Sequence, residues 1–200
     1  MTPSGDEVRR KLLEAAFSMP SFQTMVSRKS SITNVFVNSL VPVIPPTIDD
    51  IEEALAILGI EPNDMRCAYC GNKASEWDHL RPLVLQRRPT GFVSEIANLV
   101  PACGKCNQSK GNKPWRDWML SNARWSPTGR ALAGVAERVI RLEIFERWRS
   151  PTKVDFESIV GTDDWTRYWS LCEKVNEELR QCQHVADALR VRIMEHLGMH

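Results

Sequence analysis

Four cysteines in two pairs form the strongest chemical pattern in this sequence. Each pair has the form Cys-x-x-Cys, and the four residues are Cys67, Cys70, Cys103 and Cys106. Two intervening residues let both sulfurs of a pair turn toward one point, and two such pairs complete a tetrahedral site that suits Zn²⁺. Because a site with four protein ligands has no open position, we expect this zinc to be structural and not catalytic.

The segment between the two pairs contains polar residues that could carry out hydrolysis. Asp78 and His79 are adjacent, Asn98 lies farther along, and Asn107 directly follows the last cysteine. Histidine has a pKa that suits a general base near neutral pH, and a carboxylate, an amide oxygen and water can together hold Mg²⁺. On an extended strand, Asp78 and His79 would point to opposite faces, so they need not compete for one role.

From Cys67 to Lys113 the sequence resembles the HNH (His-Asn-His) endonucleases of the ββα-metal superfamily, in the subgroup that has a four-cysteine zinc site and asparagine at the last signature position. The matching segments are Asp78-His79 with Pro82, Asn98-Leu99 ahead of Pro101, and Cys103-x-x-Cys106-Asn107-x-x-Lys110-Gly111. The resemblance covers about a quarter of the chain.

The resemblance implies a role for each polar position. His79 would be the general base, and Asp78 and Asn107 would hold Mg²⁺ or another divalent ion. Asn98 would brace the hairpin loop and help to orient His79. The metal would bridge the scissile phosphate and stabilise the leaving 3′ oxygen, so that cleavage leaves a 5′-phosphate.

Positive charge is concentrated on the cysteine segment, although the whole chain has a net charge of only +1. Residues 66–116 contain 9 Lys or Arg and 3 Asp or Glu, a net charge of +6, whereas residues 1–65 carry −4 and residues 117–200 carry −1. Four thiolates around one Zn²⁺ would lower the local excess to about +4. A positive segment is expected where a protein binds double-stranded DNA. The candidate phosphate contacts are Arg81, Arg87, Arg88, Lys110, Lys113 and Arg116.

The residues that flank the cysteine segment are predicted to be mostly helical. Thr47 is the predicted N-cap of a helix over Ile48–Leu58 that ends at Gly59. Other predicted helices cover residues 4–18, with Ser4 in a capping box, and residues 131–148. A further helix is predicted to start near the second cysteine pair, in the stretch 105–122, where Pro114 is the single proline. A connector is predicted over residues 150–163.

The last segment has the most regular pattern, because apolar residues recur every three or four positions from Trp165 to Leu197. This spacing predicts one long helix with a heptad-like apolar stripe. The stripe would pack on the protein's own core or form a homodimer contact. Cys172 and Cys182 lie on the stripe, and we expect them to pack as small apolar side chains.

These elements predict an α+β protein in which a zinc-binding ββα-metal module is embedded in mostly helical flanks. The predicted divisions are a helical N-terminal region over 1–65, the nuclease module over 66–122, and a helical C-terminal region over 123–200 for dimerisation or DNA recognition. A membrane span is not predicted, because no run of about 18 apolar residues occurs. A polar N-terminus and thiolate metal ligands favour a cytoplasmic location.

The predicted function is metal-dependent cleavage of DNA. A sequence-specific restriction-type enzyme that acts as a homodimer is the leading specific hypothesis, since a nonspecific nuclease has no obvious need for the helical flanks. One alternative is a nicking or structure-specific nuclease of a phage or mobile element. Another is a non-catalytic, zinc-dependent nucleic-acid-binding module, which would have no reason to contain Asp78, His79 and Asn107 together.

Overall fold

The structure, a computed structural model, describes residues 5–16 and 23–199. The chain divides into two compact units. The larger unit comprises Ser30–Cys172, and the smaller one comprises Met1–Lys29 together with Glu173–His200. The domain boundaries predicted from the sequence, after residues 65 and 122, stay a prediction.

Helices dominate the described residues, and short strands lie between them, so the predicted α+β class is confirmed. The helices are α1 Gly5–Ala16, α2 Lys29–Asn38, α3 Ile48–Leu58, α4 Gly104–Lys110, α5 Trp115–Leu120, α6 Val135–Trp148, α7 Phe156–Val160 and α8 Thr162–His196. The strands are β1 Glu76–His79, β2 Val84–Leu85, β3 Arg88–Pro89 and β4 Leu99–Ala102. Two short 3-10 helices cover Met25–Arg28 and Ile96–Asn98.

Strands β1 and β4 form a two-stranded antiparallel sheet that precedes α4 in the order ββα. In its register, Asp78 lies opposite Val100 and His79 lies opposite Leu99. The 32 residues between the two cysteine pairs are long enough to contain both strands and a second antiparallel pair, β2 with β3. The sheet and α4 therefore bring the two halves of the cysteine segment together.

The start and end of α3 follow the sequence prediction. The Thr47 hydroxyl accepts a hydrogen bond from the Asp50 amide, and an Asp50 carboxylate oxygen accepts one from the Thr47 amide, which completes a capping box. Gly59 ends the helix with φ of +63°, a left-handed conformation that glycine adopts without steric cost. The predicted cap, span and end of this helix are all confirmed.

The helix predicted to start near the second cysteine pair is confirmed, because α4 begins at Gly104. The stretch up to residue 122 also contains α5, which is separated from α4 by Gly111 and Pro114. The helix predicted from residue 131 begins later, at Val135, because Ala131 and Gly134 both have positive φ. The predicted connector contains the short helix α7. Ser4 and Ser18, at the predicted ends of the first helix, lie outside the described residues.

The main core of the larger unit packs α3, α5 and α6 against β4 and the segment Cys67–Cys70. Trp118, Leu142 and Phe145 are buried there, and the ring of Tyr69 packs edge-on against Trp118 with centroids 5.3 Å apart. A second cluster includes Val37, Leu83 and Val93, as well as Trp169 and Cys172 from the start of α8. The predicted packing role of Cys172 is thus confirmed.

Helix α8 is the predicted long helix, but it does not bury the predicted stripe along its whole length. From Glu173 onward the polar side chains of Asn176 and Gln183 are buried, and Gln183 accepts a hydrogen bond from the Met25 amide. The apolar residues Val175, Cys182, Val185, Leu189, Ile193 and Leu197 are exposed. The prediction that Cys182 packs in a core was therefore wrong. Among the described residues, none of the helices combines the length and apolar character needed to cross a membrane.

Candidate active site and metal centre

The four predicted zinc ligands converge on one point. Cys67 and Cys70 lie in the turn before β1, whereas Cys103 caps α4 and Cys106 lies within it. All four sulfur atoms lie within 4.8 Å of one another, and the sulfurs of Cys70 and Cys103 are 3.6 Å apart. The pairing of β1 with β4 therefore brings the two cysteine pairs, which lie at the two ends of this segment, next to each other.

These sulfurs fit a tetrahedral zinc ion. A Zn–S bond of about 2.3 Å implies sulfur–sulfur separations of about 3.8 Å in a tetrahedron. Contacts with Cys67 and Cys70, together with burial, raise the pKa of Cys106 well above its usual value. Thiols this close cannot all ionise beside one another without a cation, whereas a zinc ion would stabilise four thiolates. The chain thus has a four-cysteine cluster of the kind that holds a structural zinc.

Asp78 lies on β1 with its side chain buried against α4. Its Oδ2 accepts a hydrogen bond from the Tyr69 hydroxyl at 2.6 Å and is 3.1 Å from the Lys110 ammonium. Burial raises the pKa of Asp78 and lowers the pKa of Lys110, and the ion pair between them opposes both shifts. The carboxylate is therefore fixed in position by two donors from different elements.

Lys110 was predicted to contact DNA, but its side chain is completely buried. Its ammonium group donates hydrogen bonds to the carbonyl oxygens of His79 at 2.8 Å and Gly111 at 3.3 Å, in addition to its ion pair with Asp78. A lysine in this position cannot reach a phosphate at the surface. We therefore correct the prediction: Lys110 joins α4 to β1 inside the protein.

His79 follows Asp78 on β1 and is half-buried on the opposite face of the strand, as alternation predicts. Its Nε2 lies 2.9 Å from the hydroxyl oxygen of Ser94. Burial, together with the nearby charge of Lys110, lowers the pKa of His79 to about 4. The imidazole ring is therefore neutral at pH 7, the form that can accept a proton. Ser94 was not predicted, because nothing in the local sequence distinguishes it from a loop serine.

Asn98 is completely buried and joins the end of β1 to the segment before β4. Its Oδ1 accepts a hydrogen bond from the Arg81 amide at 2.8 Å, and its Nδ2 donates one to the Arg81 carbonyl at 3.0 Å. The Leu80 amide also donates to the carbonyl oxygen of Asn98. These bonds fix the backbone directly after His79.

Asn107 lies on α4 and faces β1, where its Nδ2 donates a hydrogen bond to Oε2 of Glu76 at 2.9 Å. Glu76 precedes Asp78 by two residues and therefore shares its face of the strand. Sequence reasoning missed Glu76, although the same alternation that separates Asp78 from His79 would have placed it beside Asp78. Two carboxylates and one amide consequently lie along the contact between β1 and α4.

The side chains of the other predicted DNA contacts differ in their exposure to solvent and in their present partners. Arg81 is half-buried and forms an ion pair with Glu146. Arg116 is exposed but is paired with Glu143 at 2.6 Å. Lys113 is exposed, and its ammonium donates to the carbonyl oxygen of Ser109.

Arg87 and Arg88 lie at the turn between β2 and β3. Gln86 and Arg87 both have positive φ, which is typical of a two-residue hairpin turn. Arg87 is exposed at the tip, whereas the guanidinium of Arg88 lies over the ring of Trp169, 4.4 Å from its centroid. The hairpin therefore presents Arg87 to solvent and holds Arg88 against α8.

Comparison with known proteins places this site in a family. Residues 67–113 match the family model described as HNH endonuclease. The chain is also similar to the CRISPR-associated endonuclease Cas9 of Corynebacterium diphtheriae, with 28% identity over 150 residues. That alignment covers 70% of this chain but only 13% of the relative, so the chain spans a small part of its length. A search of solved structures finds no significant match. The chain therefore carries an HNH endonuclease domain, over the residues that hold both the four cysteines and the Asp78-His79 pair.

Proposed function

We propose that this chain is a metal-dependent endonuclease that hydrolyses phosphodiester bonds in double-stranded DNA, with His79 as the general base. The observation that carries the proposal is the division of β1 between two tasks. One face presents a neutral, hydrogen-bonded His79, and on the other face Glu76 contacts Asn107 and Asp78 contacts Lys110, both on α4. Metal-assisted hydrolysis of a phosphodiester requires a base and oxygen ligands for the ion, and β1 contributes to both.

The hydrogen bond between His79 and Ser94 supports the role of the histidine. If Nε2 carries the proton and donates a hydrogen bond to the Ser94 hydroxyl oxygen, Nδ1 has a free lone pair. Nδ1 would then take a proton from the attacking water, and the Ser94 hydroxyl would stabilise the imidazolium that forms. The neutral ring at pH 7 is consistent with this direction of proton transfer.

The oxygen donors of Glu76, Asp78 and Asn107 suit a hard divalent ion such as Mg²⁺, which binds one or two carboxylates and retains several waters. When bound, such an ion neutralises charge on the scissile phosphate and stabilises the leaving oxygen. Within the chain, Tyr69 and Lys110 hold the Asp78 carboxylate in place, and Glu76 holds the Asn107 amide. We propose Asp78 and Asn107 as ligands, with Glu76 beside them.

Basic side chains near this site would hold the DNA. Arg87, Lys113 and Arg116 are exposed and would neutralise phosphates without reading the base sequence, although Arg116 would first have to leave its ion pair with Glu143. Arg81 and Arg88 have less freedom, because they pair with Glu146 and with the Trp169 ring. We propose Arg87 as the first phosphate contact to test, since its position at the hairpin tip exposes its side chain.

We also propose restriction-type, sequence-specific cleavage by a homodimer. The exposed apolar residues of α8 in the smaller unit support a dimer contact, because Val185, Leu189 and Ile193 lie on one helical face. The thiolate ligands of the four-cysteine cluster favour a cytoplasmic location, where cysteines stay reduced. Light scattering on the protein, free and bound to DNA, tests the dimer, and a monomer in both states would contradict it.

Incubation of the zinc-loaded protein with DNA tests the central proposal. Supercoiled plasmid, linear duplex, nicked, branched and single-stranded substrates should each be tested with Mg²⁺, with Mn²⁺ and with a chelator. We expect divalent-ion-dependent cleavage of duplex DNA, with 5′-phosphate ends that fall at one short sequence. Cleavage restricted to branched or nicked substrates would contradict the restriction-type proposal and favour a structure-specific nuclease. DNA binding without cleavage of any substrate would overturn the nuclease proposal.

A further inference from the structure

A cationic side chain from outside the matched domain contacts the four-cysteine cluster. Nη2 of Arg130 lies 3.1 Å from Sγ of Cys106, within hydrogen-bonding distance for a sulfur acceptor. Arg130 lies 17 residues beyond Lys113, where the family match ends. We propose that Arg130 is a positioning residue of the zinc site: its guanidinium donates to the Cys106 thiolate, slows the loss of zinc and fixes the start of α4.

The loop over residues 121–131 is built so that Arg130 has a defined position. Ser126 is completely buried, and its hydroxyl donates to the Ser121 carbonyl at 2.6 Å and accepts from the Gly129 amide at 2.9 Å. The Ser126 carbonyl in turn accepts from the Arg130 amide at 3.1 Å. Backbone hydrogen bonds and the buried Ser126 side chain therefore hold the turn in one conformation. This turn fixes the position of the Arg130 backbone, whose side chain contacts Cys106.

Gly129 shows how tightly this turn is closed. A Cβ atom at this position would lie 2.1 Å from the carbonyl oxygen of Ala123, so only glycine fits without moving the backbone. The Thr128 amide donates to the carbonyl oxygen of Met119, which anchors the loop to the buried end of α5. The loop is therefore a fixed part of the zinc site's surroundings, although it lies outside residues 67–113, which match the family model.

The position of the Arg130 guanidinium beside Cys106 is electrostatically favourable when the cluster holds zinc. Four thiolates and one Zn²⁺ have a net charge of −2, and Cys67 and Cys106 are both almost completely buried. A guanidinium in contact with one thiolate offsets part of that charge, and a charge-assisted hydrogen bond also restricts the ligand's rotamer. Cys106 directly precedes Asn107, so an anchored thiolate also sets where α4 presents Asn107.

This inference rests on zinc binding by the four cysteines and not on the proposed nuclease activity. It is tested by the rate at which zinc passes from the purified full chain to a chromogenic chelator present in excess. The Arg130→Gln variant should release zinc about tenfold faster than the wild type. Arg130→Lys, which keeps the charge but lacks the guanidinium fork, should release it at an intermediate rate. The matched control is Arg124→Gln, because Arg124 is exposed in the same loop and lies over the Trp125 ring.

A second measurement separates contact with the thiolate from a general loss of stability. In cadmium-substituted protein, the ¹¹³Cd NMR shift should change in Arg130→Gln and stay unchanged in Arg124→Gln. Equal zinc release by the wild type and Arg130→Gln would overturn the inference, and so would equal acceleration in both glutamine variants. A wild-type chain that binds no zinc would also overturn it, whatever its activity on DNA.

Discussion

The ammonium group of Lys110 lies 3.1 Å from Oδ2 of Asp78, and both side chains are buried. This ion pair joins α4 to β1 at the point where the candidate active site is formed. Removal of one partner from a buried pair leaves an uncompensated charge, which costs far more than the loss of a surface pair.

Lys110→Met should therefore lower the free energy of unfolding by about 3 kcal/mol. The matched control is Lys113→Met, since Lys113 is exposed on the neighbouring turn, and its effect should stay within about 0.5 kcal/mol. Urea unfolding of the zinc-saturated proteins measures both values. Equal, small effects of the two substitutions would contradict a structural role for the Lys110 ammonium.

Asn98 should contribute to stability through the backbone groups that it satisfies. Asn98→Ala leaves the Arg81 amide and carbonyl without their side-chain partner in a buried place, so we expect a loss of about 2–3 kcal/mol. Hydrogen exchange at the Arg81 amide should also become faster. Asn122→Ala provides a control at an exposed asparagine. Unchanged exchange at Arg81 in Asn98→Ala would show that these hydrogen bonds do not hold the loop.

The capping box of α3 gives a prediction for pH dependence. Hydrogen bonds from the side chain and backbone of Thr47, then from Arg149, lower the pKa of Asp50 to about 2 from 3.8. Since the folded pKa is the lower one, the stabilisation is present above about pH 3.8 and is lost as the pH falls through 2. Thr47→Ala should raise the pKa of Asp50, and Arg149→Gln should raise it less. NMR titration of the Asp50 carboxyl measures both, and a larger rise in Arg149→Gln would contradict this order.

Features determined by neighbouring residues could be predicted from the sequence. The Thr47 cap and the end of α3 at Gly59 follow from local hydrogen bonding and from the conformational freedom of glycine. The convergence of the cysteines follows from their spacing, because each pair already turns two sulfurs toward one point.

Features determined by packing could not be predicted in this way. The sequence shows that Lys110 is charged but not that α4 buries it against Asp78, and nothing near Arg130 indicates a contact with Cys106. The stripe on α8 shows the same limit, since periodicity indicates an apolar face but not whether another element covers it.

His79→Ala tests the proposed base directly. General-base catalysis contributes about 10²- to 10⁴-fold, so cleavage of duplex DNA should slow by that factor. Zinc content and DNA affinity should stay at wild-type levels, because His79 does not belong to the cysteine cluster. His184→Ala is the control, as His184 is exposed on α8. Undiminished cleavage by His79→Ala would rule out His79 as the base.

Ser94 provides a finer test of the same mechanism, because its hydroxyl lies 2.9 Å from Nε2 of His79. Without that partner, the ring can rotate and the protonation of its two nitrogens is no longer fixed. A hydrogen bond of about 1 kcal/mol corresponds to a loss of about fivefold in rate. Ser94→Ala should therefore lower kcat about fivefold and leave KM for DNA almost unchanged.

Ser94→Thr keeps the hydroxyl and should restore most of the rate. The comparison of alanine with threonine separates a hydrogen-bonding role from a packing role, since threonine restores the donor and acceptor but changes the side-chain volume. Single-turnover cleavage rates at saturating protein measure the chemical step without product release. If Ser94→Ala cleaves as fast as the wild type under these conditions, Ser94 does not orient the base, and the backbone fixed by Asn98 must position His79 alone.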